Sequence, residues 1–409
     1  PAHGHGAPAQ AEVMTTDLSH GPAQMHGIRH IHRHFHRIAW LAVALALGVI
    51  VFGAFVRLSH AGLSCPDWPT CYGRATWPKA AEHAADHAAS SIRAFEDHKA
   101  WREQVHRHVA ALLGLLVLSL SLLAARRRHR GVAQVLAAAG LVAIAIPTYM
   151  AGAHVAASLL AVAGEAILLA AALRWRGQDL GRESALTLAV IIFQALLGMW
   201  TVTWLLKPVV VMGHLMGGLL TFSLLVWMAW RATNRPIVLA YADRLRRLLW
   251  AALAVLGLQI ALGGWVSANY AALSCGAGGW GMENFPQCAG LWLPPTDFRE
   301  GFVLWRGIGV DYEGGVLDGA ARIAIHVSHR LGAVAATAML LWAAARMLRT
   351  PGLRGWGGAL ALLTVAQVTL GILNVKLSLP LPVAVMHNAG AALLVFVMVS
   401  LLARLRGVD

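Results

Sequence analysis

The sequence predicts an all-α protein that crosses the membrane many times, and three observations support this. Of the 409 residues, 58% are hydrophobic and 13% are charged, and the mean hydropathy is +0.61. Ten apolar runs each approach the roughly 20 residues that a helix needs to cross a bilayer. The formal net charge of +14 comes from short basic clusters between these runs. That is the pattern of cytoplasmic loops, so the charge calls for no nucleic acid partner.

The predicted spans alternate across the membrane, and a basic cluster follows every second one. The spans lie at 38–58, 104–124, 132–151, 157–175, 185–205, 209–230, 247–268, 320–346, 355–376 and 381–404. The basic clusters lie at 126–130, 174–182, 231–247, 346–354 and 404–406. Arginine-rich loops are cytoplasmic. We therefore expect both termini to be cytoplasmic and the long connections 59–100 and 269–319 to face outward, into the periplasm.

Residues 1–37 form a basic tail with eight histidines. This composition is compatible with metal capture. A disordered cytoplasmic segment held near anionic lipid headgroups is the simpler explanation.

The chain contains an internal duplication. In both halves a glutamine and a glycine four residues later are followed, sixteen residues after the glycine, by a histidine. The two copies are Gln194, Gly198 and His214, and Gln367, Gly371 and His387. We expect an N-terminal half at 38–230 and a C-terminal half at 247–404, folded as two pseudo-symmetric four-helix bundles.

The N-terminal half is longer than the C-terminal half. His106 and His214 are 108 residues apart, whereas His329 and His387 are 58 residues apart. The two spans at about 132–175 account for the excess. An inserted pair of spans leaves the later topology unchanged, so we expect an accessory two-helix hairpin.

Four histidines at similar depth define the predicted site. They are His106, His214, His329 and His387, each expected within about two turns of the start of its span. A single histidine in a membrane helix is usually a hydrogen-bonded packing residue. Two duplicated pairs instead favour two haem groups with two histidine ligands each. A zinc site is disfavoured, because no cysteine or carboxylate completes a four-ligand set at that depth.

An arginine follows the first histidine of each pair. Arg107 and Arg330 would suit haem propionates, because a guanidinium group binds a carboxylate through two hydrogen bonds. The alternative is that both side chains only extend to the membrane surface.

The two halves differ in one residue beside these histidines. Glu103 lies three residues before His106, and His326 lies three residues before His329. Only the N-terminal half therefore has a carboxyl group on the face of its histidine. Glu103 could accept or relay protons. It could also be an interfacial carboxylate that pairs with a neighbouring arginine, Arg102 or Arg107.

Four cysteines fall in the two outward connections, as Cys65 and Cys71 and as Cys275 and Cys288. An outward compartment permits disulfides, and each spacing suits a small closed loop. A structural disulfide is the default, and a redox-active pair near a haem edge is the alternative.

Together these features resemble the haem A synthase family, in its proteobacterial type. The matching motifs are Arg57-Leu-Ser-His-Ala-Gly-Leu-Ser-Cys-Pro-Asp-Trp-Pro-Thr-Cys-Tyr-Gly, Glu103-x-x-His106-Arg107, Leu197-Gly198-Met-Trp-Thr-Val-Thr, His214, His329-Arg-Leu-Gly and His387-Asn. They cover most of residues 38–404. The chain departs from the eight-span family pattern in its tail, at 132–175 and in the extended loop 276–287.

The resemblance implies an enzyme of the bacterial inner membrane. It would oxidise a ring methyl group of haem O to a formyl group by successive hydroxylations, giving haem A for cytochrome oxidase. The implied partners are haem O synthase, cytochrome oxidase assembly factors and an electron acceptor of unknown identity.

The resemblance also assigns the site residues. It implies that His106 and His214 hold the substrate haem O, with Glu103 as the catalytic residue. The pair His329 and His387 would hold a haem b cofactor. The loop of Cys65 and Cys71 would belong to the substrate half, and we expect Arg57 to join Arg107 and Arg330 as a propionate-binding residue.

Two rival functions are compatible with parts of the pattern. One is a non-catalytic di-haem membrane carrier of electrons, which would need no acid beside one haem. The other is a transporter, but transporters with inverted repeats have polar groups at the midplane, whereas these repeats are parallel.

Overall fold

The computed structural model describes residues 34–77, 94–177, 179–240, 242–276 and 285–407. Within these ranges ten helices are long and apolar enough to cross a membrane. They are α1 (Phe35–Leu58), α2 (Asp97–Ala125), α3 (Gly131–Met150), α4 (His154–Arg174), α5 (Gly181–Thr203), α6 (Pro208–Thr233), α7 (Ala242–Ala268), α9 (Gly319–Leu348), α10 (Arg354–Lys376) and α11 (Leu381–Arg404). Helix α8 (Phe298–Gly301) is one turn in the connection between α7 and α9. The ten predicted spans are confirmed.

The start of α2 differs from the prediction. The helix begins at Asp97 and not near 104, because good helix formers such as Lys99 and Glu103 continue it beyond the apolar run. His106 consequently lies about two and a half turns from the start of α2. His329 lies about three turns from the start of α9, which begins where predicted, so both histidines are somewhat further from the helix start than the two turns predicted.

Some predictions fall outside the described residues. They concern positions 1–33 of the histidine-rich tail, positions 78–93 of the first outward connection and positions 277–284 of the second.

A small parallel sheet was not predicted. Strand β1 (Ile237–Leu239) follows α6 and pairs with strand β2 (Leu405–Gly407), which follows α11. Arg246 of α7 donates a hydrogen bond of 2.6 Å to the carbonyl oxygen of Leu405. The sheet therefore ties the ends of α6 and α11 together beside the start of α7.

The helices pack as two rings of four. In the first, α1 contacts α2, α2 contacts α5, α5 contacts α6, and α6 contacts α1. In the second, the same closed order is α7, α9, α10 and α11. The rings meet where α11 contacts α1 and α6, and where α6 contacts α7. Helices α3 and α4 pack on each other and, from outside the first ring, against α2 and α5. We call this pair the accessory hairpin.

The segment that follows the first helix of each half has the same backbone shape. His60 and Tyr270 both adopt a left-handed conformation, with φ of 52° and 54°. Cys71 pairs with Arg74 and Cys288 pairs with Leu291, each in an isolated antiparallel bridge between residues three positions apart. The rings of His60 and Tyr270 lie face to face with centroids 6.1 Å apart. Equivalent residues of the two repeats thus meet where the rings adjoin.

Candidate functional site

One large cavity contains all four predicted histidines. Its volume is about 1850 Å³, whereas a site for one ligand usually measures about 300–1,000 Å³. His106 reaches it from α2 and His214 from α6; His329 reaches it from α9 and His387 from α11. The cavity has room for more than one ligand.

The histidines form two pairs. Helices α2 and α6 lie across the first ring from each other, as do α9 and α11 across the second. His106 and His214 border the cavity from opposite helices of the first ring, and His329 and His387 border it from opposite helices of the second. Each ring therefore presents one histidine pair, in the combination that the sequence predicts.

A glycine of the preceding helix packs against each imidazole ring. A Cβ atom added at any of these glycines would lie closer to the ring than the usual contact of about 3.5–4.0 Å. The distances to Cε1 would be 2.8 Å for Gly53 and His106, 3.1 Å for Gly198 and His214, 3.0 Å for Gly263 and His329, and 3.1 Å for Gly371 and His387. The glycines let the Cε1 edge of each imidazole ring approach the backbone of the neighbouring helix closely.

Glutamine side chains hold three of the histidines. Gln194 Nε2 lies 2.9 Å from Nδ1 of His214 and 2.5 Å from its carbonyl oxygen. Gln259 Nε2 lies 3.0 Å from both Nδ1 and the carbonyl oxygen of His329. The third pair is Gln367 Nε2 and the carbonyl oxygen of His387, at 2.9 Å.

The role of Gln259 was missed in the sequence. Its signal was present, because Gln259 stands four residues before Gly263, as Gln194 stands before Gly198. Gln259 and His329 are 70 residues apart, so their spacing does not reveal the pair.

Glu103 is buried, and both of its oxygens are occupied. Oε1 lies 2.5 Å from Arg107, one turn further along α2. Oε2 accepts hydrogen bonds from the backbone N–H of Cys65 at 2.8 Å and from the hydroxyl of Ser64 at 3.3 Å. Glu103 also borders the cavity. Of the two arginines considered as partners of Glu103, it is Arg107 that forms the salt bridge in the structure.

His326 occupies the equivalent position in the second half. Its Nδ1 lies 3.0 Å from the carbonyl oxygen of Ala271, in the segment that leads to Cys275. Its Nε2 is buried and has no partner. Glu103 and His326 therefore both attach a histidine helix to the backbone of the segment that contains the first cysteine of that half. Glu103 accepts from the N–H of Cys65, whereas His326 contacts the carbonyl oxygen of Ala271.

Arg107 binds the first cysteine loop. Its guanidinium group donates hydrogen bonds of 2.8 Å to the carbonyl oxygens of Cys65, Asp67 and Thr70, in addition to its salt bridge with Glu103.

The other two arginines also contact protein groups. Arg330 donates to the carbonyl oxygens of Pro286 at 2.9 Å and Gln287 at 3.3 Å. Arg57 donates to the hydroxyl of Tyr270 and to the carbonyl oxygen of Ser267, both at 3.0 Å. All three arginines nevertheless border the cavity.

Both predicted disulfides are present. Cys65 bonds Cys71 and Cys275 bonds Cys288, each with an S–S distance of 2.00 Å. Each disulfide loop is held by the arginine that follows the first histidine of its own half.

The accessory hairpin forms part of the cavity wall. Small residues of α3 and α4, including Ala145, Ala157 and Ala161, line it together with Tyr149. The ring of Tyr149 contacts Trp68 of the first cysteine loop edge-on, with centroids 6.2 Å apart. The second ring has no such addition among the residues that the structure describes.

These residues fit haem better than a protein-only metal centre. In the described part of the chain, no three histidine, cysteine, aspartate or glutamate side chains converge on a point where they could share a metal ion. Haem needs only two axial ligands, because the porphyrin supplies the rest. The buried amide oxygens of Gln194, Gln259 and Gln367 have no partner, so each can still accept a hydrogen bond. A histidine that binds iron through Nε2 carries a proton on Nδ1 and needs such an acceptor.

Comparison with known proteins identifies the family. A family model described as "COX15-CtaA: Cytochrome oxidase assembly protein" matches residues 36–161 and 150–399. The chain belongs to this family. The two matched segments meet within the accessory hairpin.

Two curated relatives have the same name. The chain is 36% identical to a haem A synthase of Shewanella oneidensis over 376 residues, which cover 89% of this chain and 96% of the relative. It is 33% identical to a haem A synthase of Rhodospirillum centenum over 168 residues, 40% of each chain.

Proposed function

We propose that the protein is a haem A synthase, which oxidises a ring methyl group of haem O to a formyl group by successive hydroxylations. The observation that carries this proposal is the relationship to the Shewanella enzyme along 96% of its length. The cavity with two facing histidine pairs supports it, because the reaction needs a substrate haem and a route for the electrons removed from it.

The architecture we propose is two pseudo-symmetric four-helix bundles with an accessory hairpin. Support comes from the two closed helix rings and from the contact between the equivalent residues His60 and Tyr270. Parallel repeats related by an axis along the membrane normal would produce such a contact. We place both termini in the cytoplasm and the cysteine loops in the periplasm, in line with the arginine clusters.

The two bundles have different roles in this proposal. His106 and His214 bind haem O, and His329 and His387 bind haem b as the cofactor. When bound, the two haems supply the redox chemistry. The residues that would hold the two haems line one continuous cavity, and Glu103 borders the same cavity.

Glu103 is the base in this proposal. It borders the cavity and lies less than one helical turn from His106. Its carboxyl group lies in contact with the Arg107 guanidinium at the cavity wall. Each oxidation of the methyl carbon releases protons, so an acceptor at this place is useful.

Arg57, Arg107 and Arg330 form the cationic part of the cavity wall. We propose that they stabilise the haem propionates electrostatically while keeping their contacts with the loops. The further partners we propose are haem O synthase as the source of substrate, cytochrome oxidase assembly factors as recipients of haem A, and an electron acceptor.

Adding haem O to the purified protein tests the function. Extraction and chromatography should show hydroxylated haem and then haem A, together with unchanged haem b. If haem O is recovered unaltered under oxidising conditions and only haem b is bound, the protein is a di-haem electron carrier instead.

A further inference from the structure

Three of the four histidines have a glutamine in the preceding helix, and the fourth has none. The glutamine always stands four residues before the glycine that packs on the imidazole ring. The three glutamines are Gln194, Gln259 and Gln367. In α1 the packing glycine is Gly53, and four residues before it stands Val49.

The glycine that makes room for the glutamine amide is also absent beside His106. In the other three cases a glycine stands three residues after the histidine, where an added Cβ would overlap the amide oxygen. These glycines are Gly217, Gly332 and Gly390. Three residues after His106 stands Val109. Two positions in two helices therefore depart from the pattern together.

The consequence is visible at the imidazole ring. Nδ1 of His214 and Nδ1 of His329 each contact a glutamine amide. Nδ1 of His106 is buried and has no partner. His387 is intermediate: its Nδ1 also lacks a partner, but Gln367 holds its backbone carbonyl.

The Nδ1 partner matters for a histidine that binds metal. When Nε2 is the ligand, Nδ1 carries the proton, and an acceptor there orients the ring and increases its donor strength. In the structure the amide nitrogens of Gln194 and Gln259 face Nδ1 and also donate to the carbonyl oxygen of the same histidine. The amide oxygen becomes the acceptor for a protonated Nδ1 when the amide turns and gives up its hydrogen bond to that carbonyl. Loss of such a partner typically costs about 10–100-fold in affinity.

We infer that Gln194, Gln259 and Gln367 are positioning residues for the haem ligands, and that His106 is the ligand that lets its haem leave. The inference rests on the proposed function. A substrate must depart after conversion, whereas a cofactor must stay. The one histidine with neither an amide partner nor the place for it lies in the half that we assign to the substrate.

The test is to build the missing glutamine site. Val49→Gln combined with Val109→Gly copies the arrangement around His329, and Val49→Leu combined with Val109→Gly is the matched control without the amide. Each purified protein is loaded with haem O, and release is followed as transfer of haem to excess apomyoglobin. The glutamine variant should release haem O about 10–100-fold more slowly than the control.

Two outcomes overturn the inference. One is that both double variants bind haem O and release it at the same rate. The other is that wild-type protein binds no haem O in the first half, which would also overturn the proposed function.

The C-terminal half gives an independent readout. Gln259→Leu should raise the reduction potential of its haem and speed its release, because His329 loses donor strength. Gln259→Glu keeps an acceptor and should restore slow release with a potential at or below that of the wild type. A merely structural glutamine would leave the potential unchanged in both variants, and that result would contradict the inference.

Discussion

The two halves of the molecule keep the same scaffold and differ around one histidine. Both have a closed ring of four helices, a glycine behind each imidazole ring and a disulfide loop held by an arginine. The second pair of helices is alike in the two halves, since Gln194 of α5 and Gln367 of α10 occupy equivalent positions. The first pair has diverged: Val49 of α1 is equivalent to Gln259 of α7, and Glu103 of α2 is equivalent to His326 of α9.

This distribution shows what a duplicated site can change. In the function that we propose, the glycines and the histidines serve both haem sites, which explains why they occur in both halves. The neighbours of His106 would then set how tightly one haem is held and whether a base lies beside it. A substrate site can therefore arise from a cofactor site through a few residues of one helix pair.

The largest expected effect concerns the carboxylate present in one half only. Glu103→Gln keeps an oxygen for the Cys65 N–H but cannot take up a proton. We expect haem A formation to fall about 10²–10⁴-fold, the usual contribution of a general base, with haem O or its hydroxylated form accumulating. Chromatography of extracted haems measures this. His326→Gln is the counterpart in the other half and should affect the rate far less.

A normal rate in Glu103→Gln would reduce Glu103 to a structural partner of Arg107. The electron-carrier function would then regain support.

The next largest effect is expected from removing the two disulfides, which should have different consequences in the two halves. Replacing Cys65 and Cys71 by serine should weaken haem A formation while leaving the haem b spectrum nearly intact, because Arg107 holds that loop against the half that we propose for the substrate. The same change at Cys275 and Cys288 should instead disturb the haem b spectrum. Closing loops of this size stabilises a fold by about 2–3 kcal/mol.

Mass spectrometry after alkylation without reductant checks that both disulfides are formed in the purified protein. It should find all four cysteines unmodified by the alkylating reagent. Equal loss of haem b in both double variants would argue against separate roles for the loops.

A smaller effect is expected where the halves meet. Tyr270→Phe removes the hydroxyl that accepts from Arg57, so the free energy of unfolding should fall by about 1 kcal/mol. The apparent melting temperature of the purified protein measures this. Tyr312→Phe removes a hydroxyl that donates to Gly307 within the connection between α7 and α9, and it controls for hydroxyl loss in general. If only the control lowers the melting temperature, the contact between the halves contributes little.

The smallest expected effect is a pH dependence of the stability of the first cysteine loop, which contains Asp67. Burial alone would raise the pKa of the Asp67 carboxyl, but hydrogen bonds from the Thr70 hydroxyl and the N–H groups of Gly73 and Tyr72 outweigh it and lower that pKa. A lowered pKa in the folded loop stabilises the loop at neutral pH. That stabilisation is lost as the pH falls below about 4 and the carboxylate becomes protonated.

Reduction of the first disulfide by a phosphine reagent should therefore accelerate in acid, by less than about tenfold. Asp67→Asn should abolish this dependence. Acceleration of equal size in Asp67→Asn would assign the effect to another group.

Much of the fold follows from hydropathy, and the rest depends on contacts that carry no sequence signature. The ten spans and the histidine pairs were predictable because the bilayer fixes helix length and the duplication repeats the spacing. The extension of α2 to Asp97 was not, because polar helix formers outside the bilayer give no apolar signal. The short β1–β2 sheet was missed because three-residue strands leave no pattern.

The candidate site likewise combines features that the sequence predicts with contacts that it does not reveal. Arg107 was expected to face propionates, and its bonds to loop carbonyl oxygens could not be foreseen because any residue provides a carbonyl. Gln259 was missed because its partner His329 lies 70 residues away. The absence of a glutamine at Val49 acquires meaning only once Gly53 is seen against His106.

The assignment of substrate and cofactor to separate halves is tested most directly by extracting haem from two ligand variants. His329→Ala should lose most of the b-type absorbance, whereas His106→Ala should keep haem b and retain no haem O or haem A. Pyridine haemochrome spectra and chromatography of the extracted haems measure both. The opposite pattern, with haem b lost from His106→Ala and kept in His329→Ala, would reverse the assignment and contradict the account.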